Sequence, residues 1–551
     1  MNFRKVINWL FKQSRPFIPS ILLIIFLGAV SALLGVGMAL ASKHMIDYAS
    51  NKQMESAAKS AGVFFLIVAG QVAIRAVLST FTVRTQEVFC NKLRVSLYDN
   101  VVRANWGEVI NYHSDDMLTR MTSDIQVITD GIVNILPGII TLGLQLAFSF
   151  ATLFYFDRVL ALLAILIGPL TVLFYRLFKK KLKSLHIKIQ ESESIYRAYL
   201  HECLQNIGIV KVFTLEDTTR DKVDELQNTR THWVLTRNRL NVKAGSILTM
   251  GYYTGYLLSF GWGALRLAQN RIGFGTLTAF FQLVSQVQSP FVSIARAVPQ
   301  LIAAEGSASR LMELENLNRE ESEPKDLGLD RAGLVLKNVA YSYQKNKPVI
   351  VDATAEIKPG EIVAIVGPSG EGKTTIIRLL LSLLHKQEGN ILVTDGKSQY
   401  TLDASFRKLI SYVPQGNTLF SGTILENLKM GLPDATLDEV NQALKDACAY
   451  DFVYALKDNV HTLIGERGLG LSEGQAQRIA IARALLRQVP IMIFDEATSA
   501  LDEVTEMHVL NAIKNRPSRP TCIFITHRPG VYALSDRILR LEKGILKEIA
   551  G

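Results

Sequence analysis

Five uncharged, largely apolar runs constrain the fold of this chain more than any other feature. The runs are 17 to 26 residues long and all precede position 300, at 21–41, 131–156, 159–175, 244–265 and 272–295. About 20 apolar residues allow a helix to cross the hydrocarbon core of a bilayer. A helix in a soluble core is usually shorter and keeps a polar stripe. The runs therefore predict membrane-spanning helices.

A sixth run is less uniform, because residues 60–83 are apolar except for Gln71 and Arg75. An arginine inside a span is costly unless it faces a partner or a wet cavity. Alternatively, its long stem can carry the charge to the headgroup region. Both interpretations of Arg75 stay open. We expect six spans in all, at 18–42, 58–82, 131–156, 158–178, 244–266 and 272–296.

Basic residues predict which side of the membrane each connection faces. Lys and Arg are concentrated before the first span, between spans two and three, and after span four. The other three connections are short and carry few charges. Because basic residues mark the cytoplasmic side, we expect both termini of this multi-pass chain to be cytoplasmic. Residues 1–16 lack the pattern of a cleavable signal peptide, so the first span would serve as the insertion signal.

The two basic connections that follow spans two and four, 83–130 and 179–243, are long and amphipathic. They predict helices that extend from the membrane into the cytosol and turn back near 111–115 and 212–217. At about 1.5 Å per residue, a 25-residue helix reaches about 38 Å.

The pattern of the chain changes after residue 310. An acidic linker over 311–331 is followed by strands that alternate with helices and glycine-rich turns, which is typical of an α/β domain. We therefore expect two domains, a membrane domain at 1–310 and a soluble domain at 332–551. The predicted fold is a six-helix all-α transmembrane domain with long cytoplasmic helical extensions, followed by an α/β P-loop ATPase domain.

Composition excludes several other classes of protein. Hydrophobic residues make up 48% of the chain, which is too many for a disordered protein. The four cysteines are scattered singly, which excludes a disulfide scaffold. The net charge of +10 includes many Lys and Arg beside the spans, so it reflects topology and lipid headgroups. We expect no nucleic-acid partner.

A phosphate-binding loop lies in the second domain. A buried-strand pattern at 361–366 leads into Gly367-Pro-Ser-Gly-Glu-Gly-Lys-Thr-Thr375 and then into an apolar helix at 376–384. This GxxxxGK[ST] loop lets backbone N–H groups surround the phosphates of ATP, and the helix N-terminus adds partial positive charge. Lys373 would reach the β- and γ-phosphates and Thr374 would bind Mg²⁺. The predicted ATP-binding residues of the loop are Gly367, Ser369, Gly370, Gly372, Lys373, Thr374 and Thr375. Glu371 is expected to point to solvent.

A second buried strand, 491–494, ends at Asp495 and Glu496. A carboxylate at a strand end can help to hold Mg²⁺, and we assign this role to Asp495. The adjacent Glu496 is placed to activate the attacking water as a general base. An isolated pair of this kind is usually a surface turn, but the phosphate loop favours the catalytic interpretation.

Leu471-Ser-Glu-Gly-Gln475 lies between these two motifs, and it resembles the signature motif of ATP-binding cassette (ABC) proteins. Other matches to that family are Tyr343 as the aromatic that stacks on adenine, Gln415 as the Q-loop residue, 465–468 as the X-loop, Asp502 in the D-loop and His527 as the switch histidine. The resemblance implies that Ser472, Gly474, Gln475 and Asp502 belong to the ATP-binding site. It also implies that Gln415 takes part in catalysis and metal binding, and that His527 senses the γ-phosphate.

The membrane half also resembles that family. Six spans fused ahead of one cassette are similar to a half-transporter of the ABC exporter superfamily, with the type IV fold. Arg120 and Asp124 fit the pattern after the first coupling helix, and 208–213 fits the approach to the second. Glu473 departs from the usual LSGGQ signature. We expect hydrolysis to remain possible, because Ser472 and Gly474 are retained.

The resemblance implies a dimer, because the phosphate loop of one cassette sandwiches ATP against the signature of another. Both half-sites look intact, which favours a homodimer over a heterodimer. The implied function is an ATP-driven exporter in a bacterial-type cell membrane. It would move a hydrophobic, amphipathic or peptide cargo outward by alternating access. The alternatives are a lipid flippase and a regulatory, non-transporting subunit.

Polar residues within the spans are candidates for the cargo cavity. These residues are Arg75, Gln145, Tyr252, Tyr253, Tyr256, Gln282, Gln286 and Gln288. The alternative for each is hydrogen bonding between helices or anchoring at the membrane interface.

Overall fold

The computed structural model describes residues 3–320, 328–344, 347–416, 418–465, 468 and 470–549. The chain divides into two compact units. The helical unit comprises Met1–Val102 and His113–Asn316, and the sheet unit comprises Arg103–Tyr112 and Leu317–Gly551. The predicted acidic linker at 311–331 includes positions 321–327, which lie outside the described residues.

Helices account for nearly all of the chain up to residue 315. In chain order they are α1 (Phe3–Ser14), α2 (Ile18–Ser50), α3 (Met54–Val102), α4 (Trp106–Val109), α5 (Ser114–Thr119), α6 (Ile125–Asp130), α7 (Leu136–Phe156), α8 (Arg158–Gln205), α9 (Ile207–Val212), α10 (Glu216–Ala268) and α11 (Phe274–Glu315). Two π-helical segments, Arg120–Asp124 and Gly131–Ile135, flank α6. Within this region α8 packs along α10, and α2 packs along α3.

Four of the predicted spans fall within single long helices. The third span, 131–156, begins in the π-helical segment Gly131–Ile135 and continues through α7, and α11 begins two residues later than the sixth span predicts. Among the described residues, three helical stretches are long and apolar enough to cross a membrane. They are Arg4–Ser50, Met54–Val102 and Ser114–Phe156, and Arg158–Leu170 is a shorter apolar helix. The helical membrane region is therefore clear, while the count of six spans stays a prediction.

Several predicted cavity residues instead connect helices of the helical unit. The Gln286 amide donates to the Gly35 carbonyl at 3.0 Å and accepts from the Ser149 hydroxyl at 2.9 Å. The Gln282 amide donates to the Ser42 hydroxyl at 3.2 Å. These bonds fit the packing alternative. Arg75, Tyr253 and Tyr256 are the candidates with exposed side chains.

The turn that contains α4 belongs to the sheet unit. The Arg378 guanidinium lies 5.0 Å from the centre of the Trp106 ring in α4. The Glu108 carboxylate accepts from the Asn318 backbone N–H at 3.0 Å and from its side-chain amide at 2.6 Å. The short turn helix thus lies at 106–109, ahead of the predicted turn at 111–115. These contacts also explain why the units differ from two contiguous domains. The second turn, between α9 and α10, lies where the sequence predicts it.

The sheet unit contains a ten-stranded sheet in the order β5-β4-β1-β2-β12-β11-β3-β10-β9-β6. The strands are β1 (Gly333–Gln344), β2 (Lys347–Ile357), β3 (Ile362–Val366), β4 (Glu388–Thr394), β5 (Gln399–Thr401), β6 (Ile410–Val413), β7 (Gly422–Thr423), β8 (Leu463–Ile464), β9 (Ile491–Asp495), β10 (Thr521–Ile525), β11 (Arg537–Glu542) and β12 (Ile545–Ile549). Strands β7 and β8 form a separate small antiparallel pair.

The sheet unit also contains further helices. They are α12 (Lys373–Leu380), α13 (Ile424–Lys429), α14 (Leu437–Asp446), α15 (Tyr450–Ala455), α16 (Glu473–Leu486), α17 (Glu503–Lys514) and α18 (Pro529–Leu534). Of these, α12, α16 and α18 contact the strands of the large sheet. Strand β10 pairs in parallel with β3 on one side and with β9 on the other. Because parallel strands share a carboxyl edge, the residues that follow these three strands lie side by side, where α/β sheets bind ligands.

Candidate active site

The phosphate loop leaves β3, as the sequence predicts, but α12 begins at Lys373, three residues before the predicted helix at 376–384. A Cβ added at Gly367 would lie only 2.2 Å from the Leu541 carbonyl oxygen, so a side chain cannot fit there. Gly370 and Gly372 adopt left-handed backbone conformations, with φ of 86° and 101°. Glycine is the residue that adopts such conformations without a steric cost. The loop can therefore turn its backbone N–H groups toward a phosphate at the N-terminus of α12.

Lys373 is 9% exposed and turns back over this loop. Its ammonium donates to the carbonyls of Gly367 and Pro368 and lies 3.2 Å from His527 Nε2. A charged ammonium can only donate, so in this contact Nε2 of His527 is the acceptor. The predicted phosphate-binding lysine and the predicted γ-phosphate sensor thus meet at one point.

Asp495 and Glu496 follow β9 at the same edge. Asp495 is 5% exposed, and the Tyr412 hydroxyl donates to its carboxylate at 3.4 Å. Burial, and then the charge of Glu496, raise the pKa of Asp495. Burial also raises the pKa of Tyr412, and the neighbouring Asp495 adds to the effect.

Glu496 has a left-handed backbone with φ of 48°, which is uncommon for a residue with a side chain. Its backbone N–H donates to the Ile525 carbonyl of β10 at 2.8 Å. Its carboxylate accepts from the Gln415 amide at 2.6 Å. The structure therefore brings together two of the predicted catalytic groups, from different loops.

The side of the loop next to α12 carries the remaining predicted nucleotide contacts. Ser369 and Thr374 are exposed, whereas Thr375 is buried. The Tyr343 hydroxyl lies 3.4 Å from Thr375 Oγ1 and accepts from Arg378 at 3.0 Å. These contacts fix one end of the half-exposed Tyr343 ring and leave area for a base to stack.

The signature residues make a different set of contacts. Ser472 caps α16. Its hydroxyl accepts from the Gln475 backbone N–H, and the Gln475 side chain accepts from the Ser472 backbone N–H. A Cβ added at Gly474 would lie 2.8 Å from the Ala500 carbonyl, so the start of α16 packs closely on the loop after β9. No contact joins these residues to the phosphate loop within the described part of the chain. Glu473 is exposed in the first turn of α16.

Asp502 has a structural role in this chain. Its carboxylate accepts from the Thr505 backbone N–H at 3.0 Å and from the Thr505 hydroxyl at 2.7 Å, and so caps α17. These hydrogen bonds lower the pKa of Asp502. The predicted X-loop falls partly outside the described residues, at positions 466 and 467.

Gln477 is a positioning residue that the sequence analysis missed. It is 3% exposed, its amide oxygen accepts from Ala500 N at 3.0 Å, and its nitrogen donates to Ser499 Oγ at 3.1 Å. The same nitrogen lies 3.4 Å from the Glu496 carbonyl. Gln477 therefore links the signature helix to the loop that carries Glu496. In the sequence, its role could have been inferred only from the position of a polar side chain on the apolar stripe of α16.

The expectation for Glu371 was wrong. Its carboxylate accepts a 2.5 Å hydrogen bond from the Lys543 backbone N–H, in the turn between β11 and β12. The carboxylate is thereby used to hold this turn against the phosphate loop. The pairing is remote in sequence, so local pattern could not indicate it.

The comparisons with known proteins agree with this geometry. The family model described as ABC transporter matches residues 350–499, and that of the ABC transporter transmembrane region matches residues 20–291. A Rickettsia felis protein, whose name describes an export ATP-binding/permease protein, is 30% identical over 85% of this chain and 82% of its own. The chain belongs to the ABC transporter family. It carries the two regions in the order of a fused half-transporter, which confirms the predicted order of a helical transmembrane region and an α/β ATPase domain.

Two further similarities extend over almost the whole ABC transporter. Bacillus subtilis YgaD, whose name describes a multidrug export protein, is 26% identical over 97% of this chain and 94% of its own. The solved structure of a bacterial Atm1-family ABC exporter with ATP bound matches with a TM-score of 0.80 and 24% identity. It covers 97% of this chain and 95% of the solved chain, and it shows the fold. The ABC transporter is thus a multi-pass membrane protein with an ATP-hydrolysing domain.

We expect Asp495→Asn to stabilise the nucleotide-free transporter. A carboxyl whose pKa is raised by folding adds stability at low pH and loses it as the pH rises through the folded pKa. Above its folded pKa the buried Asp495 carboxylate therefore costs stability, and a neutral amide removes that cost. Thermal melting without nucleotide should show a larger gain for the variant at high pH than at low pH. A variant that melts below the wild type at high pH would contradict this.

Proposed function

We propose that this ABC transporter is an ATP-driven exporter that works as a homodimer in a bacterial-type cell membrane, with its ATPase domains in the cytoplasm. The observation that supports it most is the convergence at one sheet edge. Lys373 and His527 lie 3.2 Å apart there, and Gln415 and Glu496 lie 2.6 Å apart. The ATPase chemistry needs both pairs.

In this proposal Glu496 accepts a proton from the attacking water. The water oxygen then forms a bond to the γ-phosphorus as the bond to the ADP oxygen breaks, which gives ADP and inorganic phosphate. Lys373 stabilises charge on the phosphate oxygens, and His527 contacts the γ-phosphate. Because Lys373 already touches His527, a γ-phosphate that draws the lysine forward also changes the partner of the histidine.

The donor groups at this edge suit Mg²⁺, which prefers oxygen ligands. Asp495 offers a buried carboxylate whose pKa is raised by burial, so a cation beside it would offset that cost. Thr374 offers an exposed hydroxyl and Gln415 an amide oxygen. We assign these three residues to the metal. When bound, Mg²⁺ would neutralise developing charge on the phosphates.

The position of the signature segment supports the proposed dimer. Ser472, Gly474 and Gln475 contact α16 and the loop after β9, not the phosphate loop of the same chain, among the described residues. A second cassette can bring its own signature segment to the ATP. ATP then binds the closed pair more tightly than the open one and shifts the population toward closure. A second identical chain supplies every group required.

The proposed cargo is hydrophobic, amphipathic or peptidic. The relatives named above are described as export proteins, which supports the outward direction. Exposed aromatic residues of the helical unit support the class of cargo. Tyr256 stacks on Phe281 at 5.0 Å, and Phe260 stacks on the same ring at 5.6 Å. Tyr256 and Phe260 are exposed, and a surface that combines aromatic faces with a hydroxyl suits an amphipathic molecule.

Proteoliposomes that contain the full chain would test this function. We expect ATPase activity to rise with the right member of a panel of cationic drugs, peptides and lipids, and the same molecule to accumulate on the side opposite the cassettes. Stimulation by lipids alone, with lipid moved between leaflets, would indicate a flippase. ATP hydrolysis without transport of any member would contradict export and favour a regulatory subunit.

A further inference from the structure

A pocket rich in arginine lies at one end of the helical unit. It forms where the turn between α7 and α8 approaches the turn between α10 and α11, and its volume is about 310 Å³. This is the end of α11 opposite to the start of the linker. Arg158, Arg266 and Arg271 line the pocket together with Asp157. It is far along the chain from every residue assigned to ATP.

The only carboxylate that lines the pocket, among the described residues, is already engaged. Asp157 is 9% exposed, and one of its oxygens accepts from the Leu160 N–H at 3.0 Å to cap α8. The other oxygen accepts from the Trp262 indole N–H at 3.0 Å and lies 3.4 Å from Arg266 Nε. Asp157 therefore fixes the two turns together and has little capacity left for the other arginines.

Arg158 and Arg271 are exposed and form no ion pair with any described carboxylate. The Arg158 guanidinium lies 5.8 Å from the centre of the Phe154 ring, and that of Arg266 lies 5.0 Å from Trp262. Stacking on an aromatic face leaves the N–H edges of a guanidinium free to donate. The Arg271 backbone is fixed by a 3.0 Å bond from its N–H to the Arg266 carbonyl.

The surroundings do not cancel this charge. Lys43 lies over the Phe156 ring at 5.6 Å and pairs with Asp47 at 3.3 Å. Asp47 in turn accepts from the Gly275 N–H at 2.9 Å, so this carboxylate is also engaged. Two carboxylates therefore face four cations, which leaves an excess of two positive charges. This excess of positive charge lies at two short connections between helices. The short connections of the chain otherwise carry few basic residues.

We propose that this pocket binds a phosphate group. Planar guanidinium groups match phosphate oxygens through paired N–H donors, and two phosphate charges would balance the local excess. Phe156, Val159 and Ile272 give the pocket an apolar wall beside the arginines. An apolar wall next to a cationic one fits a phosphate that carries an apolar substituent, such as a phospholipid headgroup. A free phosphate would use the same arginines without that wall.

Native mass spectrometry of the delipidated full chain would test the proposal. The probes are dioleoylphosphatidylglycerol, dioleoylglycerol, which lacks the phosphate, and inorganic phosphate. We expect one tightly held phosphatidylglycerol per chain and no dioleoylglycerol. The Arg158→Gln/Arg271→Gln variant should bind phosphatidylglycerol about tenfold more weakly or worse, since each lost charged hydrogen bond reduces affinity. Arg158→Lys/Arg271→Lys keeps the charge without the planar guanidinium. Its affinity for phosphatidylglycerol should lie between those of the wild type and the glutamine variant.

The matched control is Lys52→Asn/Lys59→Gln, which removes two charges from the same end of the helical unit. Lys52 and Lys59 lie on either side of the start of α3, outside the pocket. The control should bind phosphatidylglycerol as the wild type does. Displacement of the lipid by inorganic phosphate would assign the pocket to free phosphate. Equal weakening in both double variants, or none in either, would overturn the proposal.

Discussion

The Glu496→Gln variant should hydrolyse ATP about a hundredfold more slowly than the wild type or worse, since a positioned general base contributes at least that much. The amide cannot accept the proton of the attacking water, yet it has nearly the shape of the carboxylate. The 2.6 Å contact with Gln415 can be kept by a turn of the amide. Steady-state phosphate release should therefore collapse while binding of a fluorescent ATP analogue stays close to that of the wild type.

Glu503→Gln is the matched control for this prediction. Glu503 is an exposed carboxylate in the first turn of α17, a short distance along the chain from Glu496. Its variant should retain wild-type hydrolysis, because no contact links Glu503 to the candidate active site within the described residues. If Glu496→Gln still turned over ATP at the wild-type rate, another group would have to be the base. Loss of both binding and hydrolysis would instead indicate a damaged loop.

The parts of the site that the sequence predicts are local. The phosphate loop needs a strand, a glycine-rich turn and a helix in succession, and 362–380 fold in that order. The position of Asp495 and Glu496 at the end of a buried strand is likewise a local feature of the sequence. The order of β3, β10 and β9 brings these segments together, and resemblance to a known family indicated that arrangement where local pattern could not.

The parts that the sequence does not predict depend on partners remote in the chain. The Glu371 carboxylate binds the Lys543 N–H, and Gln477 binds the loop after β9. The 103–112 turn joins the sheet unit through Trp106 and Glu108, whose partners are more than 200 residues away. Glutamines in an apolar span could equally have faced a cavity or another helix. Only the packing of α11 against α2 and α7 shows that Gln286 bonds neighbouring helices.

The Asp124→Ala variant should lose about 3 kcal/mol of stability in the helical unit, because it removes one partner of a buried ion pair. Asp124 is 3% exposed and accepts from Arg310 Nε at 2.7 Å and from the Ser307 hydroxyl at 2.8 Å. The hydrogen bond to Asp124 raises the pKa of Arg310. Arg310 is half exposed and can turn to water, so we expect the lower end of the range for a broken buried pair.

Thermal melting in detergent would measure this loss as a fall of several degrees. Asp124→Asn keeps an acceptor for the Ser307 hydroxyl, so its melting temperature should fall less than that of Asp124→Ala. The double variant Asp124→Ala/Arg310→Ala should recover part of the loss, because it leaves no unpaired guanidinium. A melting temperature of Asp124→Ala equal to that of the wild type would show that the pair contributes nothing.

The position of this pair gives the prediction a functional consequence. Asp124 ends a π-helical segment before the third predicted span, and Arg310 lies near the end of α11, just before the linker to the cassette. Arg120 also connects this segment to α11, since it donates to the Arg310 carbonyl at 2.9 Å and to the Glu313 carboxylate at 2.8 Å. Helices joined by such a cluster move together. Asp124→Ala should therefore reduce the stimulation of ATPase by cargo more than it reduces basal hydrolysis, which uses residues of the sheet unit.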